Sequence, residues 1–301
     1  MKLVYSPKYE VDIGAHVFPT LKYRLIREEL LKEGIVKEQD FILAEPAGDE
    51  EILLVHTPEY VLKLKTAALS PAEIYKLELP YSAQLVEAAW ICAGGTVQAC
   101  RLAIKQKIGM HIGGGFHHAF SDHGEGFCVL NDIAVAIRAL QKDKTIKKAL
   151  VVDCDLHQGN GTAAIFINDR SVYTFSIHQR DNYPFPKMPS DMDINLEDGT
   201  SDKEYLKHLQ LNVPAIIDNF QPDLTIYVAG SDPYQYDQLG GLNLTMEGLK
   251  RRDEFMMRMC LEKGIPVAVV LAGGYAINTD DTVKIHCHTV KVALKNYKAS
   301  S

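Results

Sequence analysis

The chain has 301 residues, a formal net charge of −7, and 47% hydrophobic against 24% charged residues. That composition supports a deep core, and the acidic balance, with no Lys/Arg run resembling a basic tail, argues against direct nucleic-acid binding. No stretch reaches the roughly 18 apolar residues of a membrane span. The N-terminus has no apolar run of signal-peptide length, so the expected setting is cytoplasmic, with no membrane partner. Six cysteines occur and none forms a CxxC pair, which reads as free, buried thiols in a reducing compartment.

Along the chain, Lys2–Tyr5 reads as a first strand and Ile108–Ile112 as a buried one. Val129–Gln141 then carries apolar residues at helical spacing. Ala149–Val152 and Val172–Ile177 read as two more buried strands, followed by an amphipathic helix over Lys203–Asn219. Leu224–Val228 is the next strand. Asn243–Leu244–Thr245 ahead of Glu247 marks a helix start, and the helix runs over Met246–Lys263 before a last strand at Val267–Leu271. Strands separated by helices predict βαβ units. The expected fold is α/β, with a mostly parallel central sheet and helices on both faces. No linker, repeat or low-complexity tract interrupts it, so residues 1–301 are read as a single domain.

Ligand chemistry in such sheets gathers beyond the carboxyl ends of the strands. Gly-Gly-Gly-Phe-His-His follows the first of the five internal strands, and Asp-Cys-Asp-Leu-His the second. Ser-Ile-His, Gly-Ser-Asp-Pro and Ala-Gly-Gly-Tyr follow the other three in turn. Five consecutive strand ends carrying reactive side chains point to a site.

Asp153, Asp155 and His157 alternate, and a period of two puts them on one side of an extended chain. Asp155 and His157 could share a metal, with Asp153 behind or beside them and Asp232 as a third ligand from another strand. Two carboxylates and an imidazole leave an open fourth position, which a catalytic zinc requires. The two carboxylates formally cancel the zinc charge, so a bound water is less acidified than with three neutral histidines. Such a site needs a base nearby. His117 and His118, adjacent on a glycine-rich turn, are candidates for general base and general acid. Tyr275 after Gly273–Gly274 is placed to stabilise an oxyanion. Gly113–Gly115 lacks the pattern of a phosphate loop.

Together these residues resemble the histone deacetylase superfamily of the arginase-like fold, over nearly the whole chain. GGGFHHAF is similar to the tandem-histidine motif, GEGFCVLND to the tunnel wall and VDCDLHQGNGT to the metal motif, with GSDP and LAGGY completing the set. The wording is nearest to class IV and bacterial members. The resemblance implies zinc on Asp155, His157 and Asp232, with Fe²⁺ as an alternative ion. It implies proton transfer by His118 with His117 as partner, and a scissile carbonyl polarised by Tyr275. It makes Asp153 the orienting group for His117 and Asn160 that for His118, where many relatives carry aspartate. Gly126 and Phe127 would line an acyl-lysine tunnel, with the Gly126 carbonyl facing the substrate amide. Tyr183 would form the opposite wall, with Phe185 as competitor. A structural potassium would take Asp153 and Ser176. His178 lies near the site with no assigned role.

The activity so implied is hydrolysis of acetyl or longer acyl groups from lysine side chains of proteins or from small acylated amines. One rival is a binuclear manganese ureohydrolase. It would need a carboxylate two residues after His157, where Gly159 stands, and another beyond Asp232, which Pro233 follows directly. The other is a non-catalytic acyl-lysine-binding scaffold, which would be expected to have lost a ligand, a tandem histidine or the tyrosine. The natural substrate, acyl length and oligomeric state are left open by the sequence.

Overall fold

The computed structural model describes residues Met1–Ser300. Eight strands form one sheet: β1 (Leu3–Tyr5), β2 (Phe41–Leu43), β3 (Ile108–His111), β4 (Ala149–Asp153), β5 (Val172–Gln179), β6 (Met192–Leu196), β7 (Leu224–Val228) and β8 (Val267–Val270). Their order is β2-β1-β3-β8-β7-β4-β5-β6, and every pairing is parallel. Residues of β1, β3, β4, β7 and β8 are buried throughout. A strand buried on both faces is covered on both, which is why these runs are continuously Val/Ile/Leu-rich rather than alternating.

The expected strands are present to within a residue or two at each end. Two edge strands add to them without a clear signal in the sequence. Phe41–Leu43 has only three residues, and Leu43 is exposed. Met192–Leu196 alternates apolar with polar side chains and is mostly half-buried, so neither carries the apolar run that marks a central strand.

The helix predicted over Val129–Gln141 is observed as Asp132–Lys142. The Asn131 side chain caps it by accepting from the Ala134 amide. Thr245 does the same for Met246–Glu262, accepting from the Gly248 amide. Its neighbour Asp202–Phe220 begins one turn after β6. Ala83–Gln106, the longest helix among the described residues, packs on β3 and on Asp132–Lys142. Thr279–Ser300 packs on Met246–Glu262 and on Lys22–Lys32. No helix among the described residues is long and apolar enough to cross a membrane. All six cysteines are buried and unpaired.

A candidate metal centre at the carboxyl ends of the strands

Because all strands run the same way, their carboxyl ends lie together, and the reactive segments converge there. Asp153 ends β4 and lies in register with Ser176 of β5 and Val228 of β7. Asp155 and His157 follow two and four residues later, and Asp232 follows β7. One ligand atom from each of Asp155, His157 and Asp232 lies within 4.8 Å of the others, and all three side chains are buried. The His157 Nδ1 is 3.3 Å from both Asp155 Oδ1 and Asp232 Oδ2.

The loops carrying these ligands are braced from behind. Fully buried Arg252 donates to the carbonyls of Gly230 at 2.7 Å and Cys154 at 3.2 Å, tying the β4 and β7 ends together. The outer oxygens of the carboxylates are also held: Asp155 Oδ2 accepts from the Gly273 amide at 2.9 Å and Asp232 Oδ1 from the Leu156 amide at 2.9 Å. Asp232 Oδ2, by contrast, is buried with no hydrogen-bond partner. A buried carboxylate oxygen is costly unless something compensates it. Asp232 itself, the Asp155 carboxylate and the His157 imidazole form a donor set that could hold a divalent ion with a further position open. The electrostatics agree. Burial opposes charge on His157, yet Asp155 and Asp232 lift its pKa to about 10, so the pocket strongly favours positive charge. Burial, reinforced by the neighbouring Asp155, raises Asp232 to about 6.

The tandem histidines arrive on the turn after β3. Asp132 fixes that turn by accepting from the amides of Gly115 at 3.0 Å and Phe116 at 2.7 Å. Gly115 has φ +90°, and a Cβ there would lie 2.6 Å from the Ala272 Cβ, so only glycine fits between the two strand ends. His117 Nδ1 is 2.7 Å from Asp153 Oδ2, and His118 Nδ1 is 2.7 Å from Asn160 Oδ1. The two rings therefore have different electrostatics. Burial works against charge on both. On His117 it is outweighed by Asp153 and Asp155, which raise the pKa to about 9. On His118 burial is reinforced by His117 and His157, and the pKa falls well below the usual value. His117 is thus held in its charged form and His118 in its neutral form.

Tyr275 is held by its backbone amide, which donates to Asp237 Oδ2 at 2.7 Å. Burial and the nearby carboxylates push its pKa well above 10, so the phenol remains a donor. Phe127 has φ +67°, an uncommon conformation for a bulky residue. Its ring stacks on Phe18 and meets Tyr275 edge-on at 5.9 Å. Gly126 is confined: a Cβ there would lie 2.8 Å from the Tyr183 hydroxyl. Tyr183 faces the site, 5.0 Å from the His118 ring and 6.2 Å from that of His157, whereas Phe185 is 72% exposed. Of the two aromatic candidates, Tyr183 is the one at the cleft. That cleft, of about 210 Å³, is lined by Glu78, Gly126, Phe127, His157 and Tyr183 among others.

Ser176 and Asp153 are lateral neighbours, with the Ser176 hydroxyl 2.8 Å from His178 Nδ1. His178 turns away to Asn195 Oδ1 at 3.0 Å. Gly159 stands two residues after His157, and Asp232 is followed directly by Pro233. Sequence reasoning missed Asp132, Glu125, Asp237 and Lys22. The first two lie inside GEGFCVLND, a segment read for its tunnel wall alone. The other two carry no local signal, because their significance is entirely tertiary.

The histone deacetylase domain pattern matches residues 16–290. An uncharacterized protein of Picosynechococcus sp. is 39% identical over 285 residues, covering 94% of this chain and 95% of its own. Histone deacetylase 2 of Arabidopsis thaliana is 30% identical, covering 91% of this chain and 74% of its own, and the acetoin utilization protein AcuC of Bacillus subtilis is 32% identical over 81% and 69%. Among solved structures, the HDA15 HD domain superimposes with a TM-score of 0.80 at 25% identity, covering 100% of this chain and 94% of its own. With the fold, the convergent strand ends and these relatives in agreement, the chain belongs to the histone deacetylase family.

Proposed function

We propose that this hydrolase of the deacetylase family is a zinc-dependent deacylase, acting as one catalytic domain over residues 1–301. Its substrates would be N-acyl groups, acetyl or longer, on lysine side chains of proteins or on similar small amines. The observation that carries this reading is the unpartnered, buried Asp232 Oδ2 grouped with Asp155 and facing His157, whose side chain lines one cleft with His118 and Tyr275.

Asp155, His157 and Asp232 would hold the ion, with Fe²⁺ an alternative to zinc in so carboxylate-rich a set. Zinc held there supplies Lewis acidity toward an acyl carbonyl and acidifies an attacking water. The chain's own residues divide the remaining work. His118, kept neutral by burial, accepts the proton released on attack. His117, kept charged by Asp153, is its acidic partner for the departing amine. Tyr275 donates its hydroxyl to the developing oxyanion. Phe127 and Tyr183 line the passage for the acyl-amine, and Gly126 offers its carbonyl to the substrate amide. Asp153 and Ser176 would share a structural potassium. The mononuclear reading is favoured over a ureohydrolase by Gly159 and Pro233.

A panel of acyl-lysine peptides and acyl-polyamines varied in chain length tests the reading, with metal content measured on the same sample. Turnover with about one ion per chain is expected. A protein that holds its metal and binds acyl-lysine yet turns over none of the panel is a scaffold, and the proposal fails.

A further inference from the structure

Asn160 presents two nearly isosteric ends to its surroundings, an oxygen that accepts and a nitrogen that donates. Which end meets His118 decides which ring nitrogen carries the proton. If the oxygen faces Nδ1, then Nδ1 is protonated and Nε2 is left as the acceptor. If the amide turns over, Nδ1 must accept, and the proton moves to Nε2, where it blocks the base.

The group that decides lies on the far side of Asn160. Glu125 Oε1 accepts from Asn160 Nδ2 at 2.7 Å and from the Tyr183 hydroxyl at 2.9 Å. Its Oε2 lies 3.0 Å from Lys76 Nζ and 3.4 Å from His123 Nε2. The Glu125 backbone is pinned by reciprocal hydrogen bonds with Cys128 at 3.1 and 2.9 Å. An ionised carboxylate has no hydrogen to donate, so it admits only the Asn160 orientation that points Oδ1 at His118. Burial would raise the Glu125 pKa, yet the bonds from His123, Lys76, Asn160 and Tyr183 hold it at about 2.

We propose that Glu125 is a positioning residue for the hydrolytic reaction: it locks the Asn160 amide, sets the His118 tautomer, and stands as the negative charge of a His118–Asn160–Glu125 relay. The charge that aspartate would bring to position 160 is thereby moved one hydrogen bond outward. Because Glu125 also receives the Tyr183 hydroxyl, the same carboxylate couples a wall of the passage to the base. The inference rests on the reading of His118 as proton acceptor.

The test is a reciprocal pair of substitutions. Glu125→Gln gives Asn160 a partner that can donate as well as accept, so the flipped amide becomes accessible. A fall in kcat of roughly 10–100-fold with little change in KM is expected, the range typical of lost orienting partners. Asn160→Asp sets two carboxylates against each other at hydrogen-bond distance and should also impair turnover. In the double variant the introduced glutamine amide can donate to the introduced aspartate. Glu125→Gln should therefore raise kcat when Asn160→Asp is already present, while lowering it in the native background. A purely structural Glu125 gives a loss in both backgrounds, and that result overturns the proposal. The independent readout is ¹⁵N NMR of the His118 ring in the native, zinc-loaded protein near pH 7. It should show the Nδ1–H tautomer, and finding Nε2–H overturns the proposal whatever the variants do. Native protein inactive on every acyl substrate would instead remove the deacylase reading, with the tautomer still decided by NMR.

Discussion

Lys22 tests how far the physical argument reaches beyond the reacting groups. It is fully buried, donates to the Ala272 carbonyl at 2.7 Å, and lies 5.4 Å from the ring centres of Phe18 and Tyr23. Asp232, Asp155 and Asp237 attract it only at longer range, and burial outweighs them, lowering its pKa from 10.5 to about 8. At about 1.4 kcal/mol per pKa unit, the folded state disfavours the charged lysine by about 3 kcal/mol. The unfolded chain keeps this proton up to pH ~10.4, whereas the folded chain releases it near 8. Between those values the unfolded state binds more protons, so this group makes stability rise with pH. Lys22→Met keeps the length and removes the charge. It should stabilise the protein at pH 7 by about 1–3 kcal/mol, the lower figure allowing for the lost bond to Ala272. That corresponds to an increase in Tm of roughly 2–6 °C for a chain of this size. The advantage should shrink to near zero by pH 10–10.5. Urea or thermal unfolding of chelator-treated protein at pH 7 and pH 10 measures both, with metal linkage removed. A methionine variant less stable than native at pH 7, or a difference of equal size at both pH values, would refute the reasoning.

Tyr275→Phe removes one oxyanion donor and should cut kcat by roughly 10²–10³. Metal content and Tm should stay as in the native protein, so a matching loss of metal would assign Tyr275 to structure. Atomic-emission analysis should find about one catalytic divalent ion per chain, reduced by Asp232→Asn; a requirement for two ions would revive the ureohydrolase reading. Gly126→Ala forces a Cβ to 2.8 Å from the Tyr183 hydroxyl at φ +51°. It should raise KM for long acyl-lysines at least tenfold, and unchanged kinetics would show that Gly126 does not line the passage. A hydroxamate on a lysine-like linker should inhibit competitively with acyl-lysine; if it fails while a simple chelator inactivates, the passage is misplaced.

Much of this was readable from the chain because parallel sheets leave a clear trace. Central strands are continuous apolar runs, and the residues just past them are the ones a site can use, so Asp155, His157, Asp232, His117, His118 and Tyr275 stood out before any geometry. The short edge strands Phe41–Leu43 and Met192–Leu196 left no such trace, being half-exposed and without a turn-bounded apolar run. Glu125 was invisible for another reason. A glutamate in a polar loop is ordinarily solvated, and its place beside Asn160 depends on two segments 35 residues apart meeting in space. Asp237 and Lys22 are similar cases, each tied to the Ala272–Tyr275 segment from a distant part of the chain. Choosing Tyr183 over Phe185 likewise needed the packing, since both precede a proline in the same short segment.

The pairing of β3 with β8 carries a cost during synthesis. The two strands are about 160 residues apart in sequence, and β8 fills the edge of β3 opposite β1. At about 5–20 residues per second, that edge waits roughly 8–30 s for its partner to leave the ribosome. Throughout that interval an apolar strand with unpaired amides and carbonyls is open to association with other chains. The glycine turn bearing the tandem histidines is also unsupported, because Ala272, against which it packs, has not yet been made. Nascent chains stalled before residue 267 should therefore be inactive and should engage chaperones strongly, and non-local parallel pairing of this kind makes refolding slow.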